Sequence, residues 1–503
     1  MMSILQAKDG SRFPDPVYRE TVLRPLFDGA RRYHAEALRR IDRAHLVMLV
    51  ETGVLGAAQG AAIAGALQAM DREIRLDDLA YGGDVEDYFF HMERELKARV
   101  GPDIGGRLHT ARSRNDIDHT FLKLGLKPRV DRLLAACRKL LAALIEVAAR
   151  DRDVLIVAYT HGQPAQPTTY GHYLAAMSEV LIRDVERLEA ARAIVDLCPM
   201  GAAAITTSGF PISRQRVAEL LGFAAPQRNS YSCIAATDYL TSVYSAIVLL
   251  FLHLGRPIQD FQFWSSFEVG QLYLPNGFVQ VSSIMPQKRN PVPLEHLRHL
   301  SSQAVGRARA VVDVMHNTPF TDMTDSEAET HEMGYQVFDV AQRVLDLLTA
   351  TLQACRIDSE RVAANLSRSC ATITELADWL VRSEGLSFRQ GHEIAAEVAR
   401  AVVAISGDLP TDGYPAFALA FERHLGRKPV ADAAEFARMV SPEHFVAVRD
   451  RFGGPAPAAM DPALAGYRVA LDAFAARAAA IAAREAAAAD ELERRIQDVA
   501  KGG

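Results

Sequence analysis

The sequence predicts an all-α protein, and three observations carry that expectation. Apolar residues recur at spacings of three and four over long stretches, which marks helices with one core-facing stripe. The period-two alternation of half-buried strands is almost absent. The Ala-rich stretch from Ala475 to Ala489 is a strong helix former.

The opening MMSILQAKDGSRFPDP holds a lysine but no apolar run of signal-peptide length before Pro14, so a cytoplasmic location is expected. The first long stripe follows Val130: Leu133, Leu134, Cys137, Leu140, Leu141, Leu144 and Ile145. The second comprises Leu174, Met177, Leu181, Val185 and Leu188, and the third Leu240, Val243, Ile247, Leu250, Phe251 and Leu254. Tyr239 to Leu254 carries no charge, but it is shorter than the ~20 residues a bilayer needs and is interrupted by Thr241, Ser242, Ser245 and His253. It reads as a helix buried on all sides, with no membrane partner. Boundaries are expected near 113, where the long helices begin, and near 365, where helices shorten and Gly and Pro increase. That gives an N-terminal helical domain (1–113), a central bundle (114–364) and a C-terminal helical domain (365–503). No internal repeat is evident.

A hydrophobic fraction of 49%, 23% charged residues and a net charge of −6 over 503 residues describe a globular chain with no polyanion-binding balance, so no nucleic-acid partner is expected. The five cysteines, at 137, 198, 233, 355 and 370, show no CxxC or CxxH spacing. Neither a disulfide framework nor a zinc cluster is expected, and no cofactor is implied.

Between the stripes lie segments rich in Gly, Pro, Ser and Thr: Gly101 to Ser113, Thr160 to Tyr170, Pro199 to Ser213 and Pro275 to Pro293. They read as loops at the ends of bundle helices, where functional side chains collect. In GGRLHTARSRND, Arg112 and Arg114 stand beside Thr110, Ser113 and Asn115, a donor set suited to carboxylate or phosphate; the plainer alternative is a basic loop that caps a helix through Asn115 or Asp116. In YTHGQPAQPTTYGH, His161 is a candidate acid or base, whereas His172 reads as packing. SSIMPQKRNP, from Ser282 to Pro291, combines paired serines with Lys288 and Asn290; alone, it reads equally as a polar turn into a helix beginning near Pro293.

Together, HTARSRND at His109, THGQPAQPTTYGH at Thr160, GFPISRQRVAELLGF at Gly209 and SSIMPQKRNP at Ser282 resemble the argininosuccinate lyase branch of the fumarase/aspartase superfamily. The likeness is strongest over residues 80 to 300. It implies a fumarase/aspartase-like fold with a long central bundle, a homotetramer, and active sites assembled from three subunits. It also implies reversible elimination of fumarate from a succinyl or aspartyl group.

By that resemblance Ser282 is the base, and Lys288 and Asn290 stabilise the charge that spreads onto the substrate carboxylate. His161 and Glu295 help protonate the leaving amine. Ser113, Arg114, Asn115, Thr160 and Gln163 fall at positions that hold substrate, the first four through the fumarate carboxylates.

The half of the site that grips the amine departs from the family. Its early Asp-x-x-Gly-Ser-x-x-His pattern becomes LRRIDRAH from Leu38, and the pattern Ser-Thr-Tyr-Asn-Lys-Asp-Leu-Gln-Glu-Asp-Lys after Pro319 becomes FTDMTDSEAET. Asp322, Glu327 and Thr330 then replace a tyrosine, a glutamine and a lysine. Ala236 and Thr237 replace an Asp-Arg pair, and Val281 replaces a glycine. Donors for a carboxylate are lost and acids gained, so the expected substrate is an N-substituted aspartate whose amine is not arginine. Lyases of aminopolycarboxylates such as ethylenediamine-disuccinate illustrate the class. The alternatives are an ordinary argininosuccinate lyase of arginine synthesis and, more remotely, an inactive crystallin-like structural protein.

Overall fold

The computed structural model describes residues 13–326 and 328–502; Glu327 lies outside the described residues. Some 71% of the molecule is helical and its strands form only two-stranded pieces, which makes the chain all-α. The long helices are α1 (Arg24–Tyr33), α2 (Ala35–Glu51), α3 (Ala57–Glu73), α4 (Tyr88–Val100), α5 (Arg114–Arg150), α6 (Tyr170–Val195), α7 (Asp238–Trp264), α8 (Val292–Asp313), α9 (Ala328–Ala354), α10 (Ile373–Glu384), α11 (Phe388–Ala404), α12 (Tyr414–Leu425) and α13 (Pro457–Ala500).

The three apolar stripes are the reason for the bundle. Every residue of each stripe is buried in one continuous core, where α5 packs on α6 and α9, and α7 on α6 and α8. Truncating a residue such as Leu140, fully buried at 0%, would remove about 2–5 kcal/mol. By length and apolarity α7 alone among the described helices would span a membrane, but half of its most apolar window is buried against its neighbours in this chain.

A second core joins α1 to α4 through Phe27, Ile41, Leu46, Ile63 and Met92. A third lies within 370–440, where Phe417 stacks on Phe436 at 5.1 Å. The helix α13, about 66 Å long at 1.5 Å per residue, leaves the third core and packs along both others. Met460, Leu464 and Phe474 enter the bundle, and Leu492, Ile496 and Val499 enter the N-terminal core. Glu485 fixes it there by pairing with Lys127 at 2.7 Å and Arg192 at 2.9 Å, while Arg484 pairs with the buried Asp196.

Three of the expected loops carry regular structure, the Ser282 segment among them. Residues 102–106 form a short helix. The segment from Thr160 is not a loop: β1 (Leu155–Thr160) and β2 (Gln163–Thr169) form an antiparallel hairpin. Pro164 and Pro167 hide the strand in the sequence, because proline is compatible only with an edge position. Buried Gln271 secures the inner strand, accepting from the Val157 N–H and donating to the Val157 carbonyl.

Candidate active site

His161 and Gly162 are the two central residues of the hairpin turn, with φ of 53° and 74°. Positive φ at both positions is the turn geometry that matches strand twist, and histidine tolerates it better than most residues. Thr160 pairs with Gln163 across the turn, so Thr160, His161 and Gln163 stand exposed together at the tip. Just behind the tip, the ring of Tyr159 meets that of Phe263 edge-on at 5.2 Å. His172, at the start of α6, is structural: its Nδ1 meets Thr168 Oγ1 at 2.9 Å and its Nε2 meets the Gly453 carbonyl at 3.0 Å.

The Ser282 segment is also a small hairpin, in which β3 (Gln280–Val281) pairs with β4 (Arg289–Asn290). Arg289 anchors it by donating to Asn276 Oδ1 and the Leu274 carbonyl at 2.5 and 2.6 Å, while its guanidinium lies over Tyr273. The Lys288 N–H closes a turn onto the Met285 carbonyl. Inside this loop, Ser282 Oγ accepts the N–H groups of Ile284 (3.4 Å) and Met285 (3.1 Å). Oriented amides aimed at one oxygen favour negative charge on it. Lys288 is exposed and Asn290 half-buried. Glu295 falls in the first turn of α8, where the helix dipole favours a carboxylate.

Ser113, Arg114 and Asn115 lie at the start of α5. Fully buried Asp116 organises them: its carboxylate accepts from the N–H groups of Ser113, Gly201 and Ala203 at 2.8, 2.8 and 2.9 Å. Burial pushes this carboxyl up to about 6 despite those donors. Asn115 donates to the Ala204 carbonyl at 3.0 Å, and Ser113 Oγ to Asn115 Oδ1 at 3.3 Å. Arg114 pairs with Glu86 and Asp87 at 2.8 and 3.1 Å. Behind this loop, Arg112 is held by Asp42 at 2.6 Å and His45 Nε2 meets the Thr110 carbonyl at 2.9 Å. Asp42, at the position of the family serine in LRRIDRAH, is therefore engaged as the partner of Arg112.

These groups do not meet within one chain. The 37 residues of α5 extend about 55 Å, with Ser113–Asn115 at one end and the hairpin of His161 beyond the other. The Ser282 loop rises from the hairpin end, because its anchors Tyr273, Leu274 and Asn276 closely follow Gln271, which bridges to Val157. Asp322 belongs to the Ser113 end, where its Oδ1 is 3.7 Å from Nε2 of His119 on α5. His119 was not among the expected site residues; the one signal for it was its place four residues after Asn115, on the same helical face. Glu327 lies outside the described residues.

Comparison with known proteins agrees with this architecture. A family model described as lyase matches residues 35–306, and one described as argininosuccinate lyase C-terminal matches residues 370–447. The chain is 66% identical over 488 residues to argininosuccinate lyase 2 of Agrobacterium fabrum, covering 97% of each protein. It is 37% identical over 435 residues to an argininosuccinate lyase of Methanoculleus marisnigri, covering 86% of each. Among solved structures, a variant of EDDS lyase with bound fumarate superposes with a TM-score of 0.83 at 27% identity, over 97% of this chain and 99% of that one. A class II fumarase of Schistosoma mansoni shares the fold, at a TM-score of 0.66 and 16% identity over 85% of this chain and 92% of that one. A bundle with these loops at its ends, matched over nearly its whole length by such relatives, belongs to the argininosuccinate lyase branch of the fumarase/aspartase superfamily and is a carbon–nitrogen lyase.

Proposed function

We propose that the enzyme reversibly eliminates an amine from an N-substituted aspartate, releasing fumarate, with Ser282 as the base. The observation that carries this reading is the convergence of the Ile284 and Met285 N–H groups on Ser282 Oγ. A serine alkoxide is otherwise too unfavourable to remove a proton from carbon, and oriented amides lower that cost. The proton leaves the carbon next to a carboxylate, and the negative charge spreads onto the carboxylate oxygens. Lys288 stabilises it there with its positive charge and Asn290 with its amide N–H, each contributing about 3 kcal/mol to lowering the barrier.

As the carbon–nitrogen bond breaks, the departing nitrogen takes a proton with the help of His161 and of Glu295, the acid that the family resemblance pairs with it. Ser113, Arg114, Asn115 and Thr160 hold the carboxylates and Gln163 also binds substrate, although Arg114 shares its charge with Glu86 and Asp87. Because the ends of α5 are about 55 Å apart, a complete site takes its parts from different copies, as a homotetramer would supply. We place this assembly in the cytoplasm, with small-molecule partners and neither nucleic acid nor membrane.

The leaving amine differs from arginine in this reading, because Asp42 is engaged with Arg112 and Asp322 stands where the family has a tyrosine. Argininosuccinate itself is the second reading, favoured by the 66% identity to argininosuccinate lyase 2 of Agrobacterium fabrum. Incubation with argininosuccinate and with a panel of N-substituted aspartates, following fumarate by ultraviolet absorbance, separates them. Turnover across the panel that exceeds turnover of argininosuccinate supports the first reading; efficient turnover of argininosuccinate alone overturns it.

A further inference from the structure

Where the base of the β1–β2 hairpin meets the third core, the packing leaves a cavity of about 870 Å³. Protein interiors pack to crystal density and leave few voids larger than a water molecule, whereas small-molecule pockets hold roughly 300–1,000 Å³. Two cores face this space and neither fills it. Val362 and Leu366, which pack with Val157 of β1, line it from one side, and Leu409 and Val440 line it from the third core. Leu155 and Thr169, partners across the first rung of the hairpin, line it as well. None of the candidate catalytic or substrate-binding residues does.

The charges on the lining share one sign. Asp153, Asp408 and Glu443 bring carboxylates, and among the described residues no Lys, Arg or His lines the cavity. Asp153 is paired with Arg152 at 3.0 Å, and Asp408 accepts from Thr411 Oγ1 at 3.2 Å. Neither Asp408 nor Glu443 has an ion-pair partner among the described residues. Thr372, also on the lining, supplies an independent observation: it is 4% exposed and stands at the N-cap of α10, yet its hydroxyl does not cap that helix. The hydroxyl makes no hydrogen bond among the described residues. Buried hydroxyls are almost always paired, so an unpaired one on a cavity wall marks where a ligand atom would be held.

From this lining we infer a ligand site for a small organic ammonium ion, a protonated primary amine on an apolar body without a carboxylate. The ammonium donates to the Thr372 hydroxyl, with Asp408 and Glu443 on the same lining to balance its charge. The apolar body fills the space between Val362, Leu366, Leu409 and Val440. An ammonium carries three donors and no acceptor, which suits walls that offer hydroxyl and carboxylate oxygens. An anion of the same shape would meet like charge without a compensating cation.

Isothermal titration calorimetry of the full-length enzyme with hexylamine, hexanol and hexanoate tests this. Hexylamine is expected to bind saturably and at least about tenfold more tightly than hexanol, and hexanoate not to bind. Leu366→Trp, which fills the cavity, should weaken hexylamine binding at least about tenfold. The double variant Asp408→Asn, Glu443→Gln should bring hexylamine to within about threefold of hexanol. Those two positions are half-buried and exposed, so the double variant keeps the test valid if Leu366→Trp does not fold. Because the candidate active site also admits amines, the variants locate the binding. A hexylamine affinity unchanged in the double variant, or in a folded Leu366→Trp, overturns the inference. So does a wild type that shows no saturable hexylamine binding or that binds hexanoate equally well.

Discussion

The amide nitrogen of Met285 lies 3.1 Å from Ser282 Oγ. With the Ile284 N–H at 3.4 Å, it is the contact on which the proposed role of Ser282 as base rests, because amides aimed at one oxygen favour negative charge on it. The same loop places Lys288 and Asn290 within a few residues of that oxygen, with Arg289 pinning the β3–β4 turn to Asn276 and Leu274.

Lys288 is exposed, so Lys288→Met should leave the melting temperature unchanged. Its ammonium would be missed only as charge builds on the substrate carboxylate. Loss of one such donor is expected to lower kcat by roughly a hundred- to a thousandfold, measured as the initial rate of fumarate release at saturating substrate.

His161 occupies a left-handed position at the tip of the β1–β2 hairpin. Asparagine tolerates that backbone, so His161→Asn separates chemistry from strain. A fall in kcat of roughly a hundred- to ten-thousandfold is expected for poorly leaving amines. For amines of low basicity, which leave with less protonation, the fall should be smaller, and comparison of kcat across amines of graded basicity checks this.

Glu332 gives a pH-dependent stability. Burial, then the neighbouring Glu329, pushes its carboxyl up to about 7. A raised carboxylate pKa means that the folded state binds the proton more tightly. The stabilising contribution is therefore complete below the unfolded value near 4.5 and is lost as pH rises through about 7. The melting temperature of the wild type should fall more between pH 5 and pH 8 than that of Glu332→Gln, as followed by circular dichroism.

The bundle was legible because spacing alone encodes a buried stripe: each residue picked from Leu133 to Leu254 faces one core. The β1–β2 hairpin was not, because Pro164 and Pro167 interrupt the strand pattern and the hydrogen bonds that hold β1 come from distant Gln271. The short helix at 102–106 was obscured by its glycines. For the candidate site, Ser282, Lys288 and His161 stood out as polar groupings whose proposed roles come from the family resemblance. The pairing of Asp42 with Arg112, 70 residues apart, and of His119 with Asp322, about 200 apart, arises only when the helices pack. No local pattern marks such partners.

The most direct measurement is the rate of fumarate release by Ser282→Ala on an N-substituted aspartate that the wild type turns over, with folding verified by melting temperature. If Ser282 removes the proton, kcat should fall by about a thousandfold or more while KM stays within about threefold, the pattern of an interaction made in the transition state. A kcat within about threefold of the wild type would contradict the assignment of Ser282 as the base.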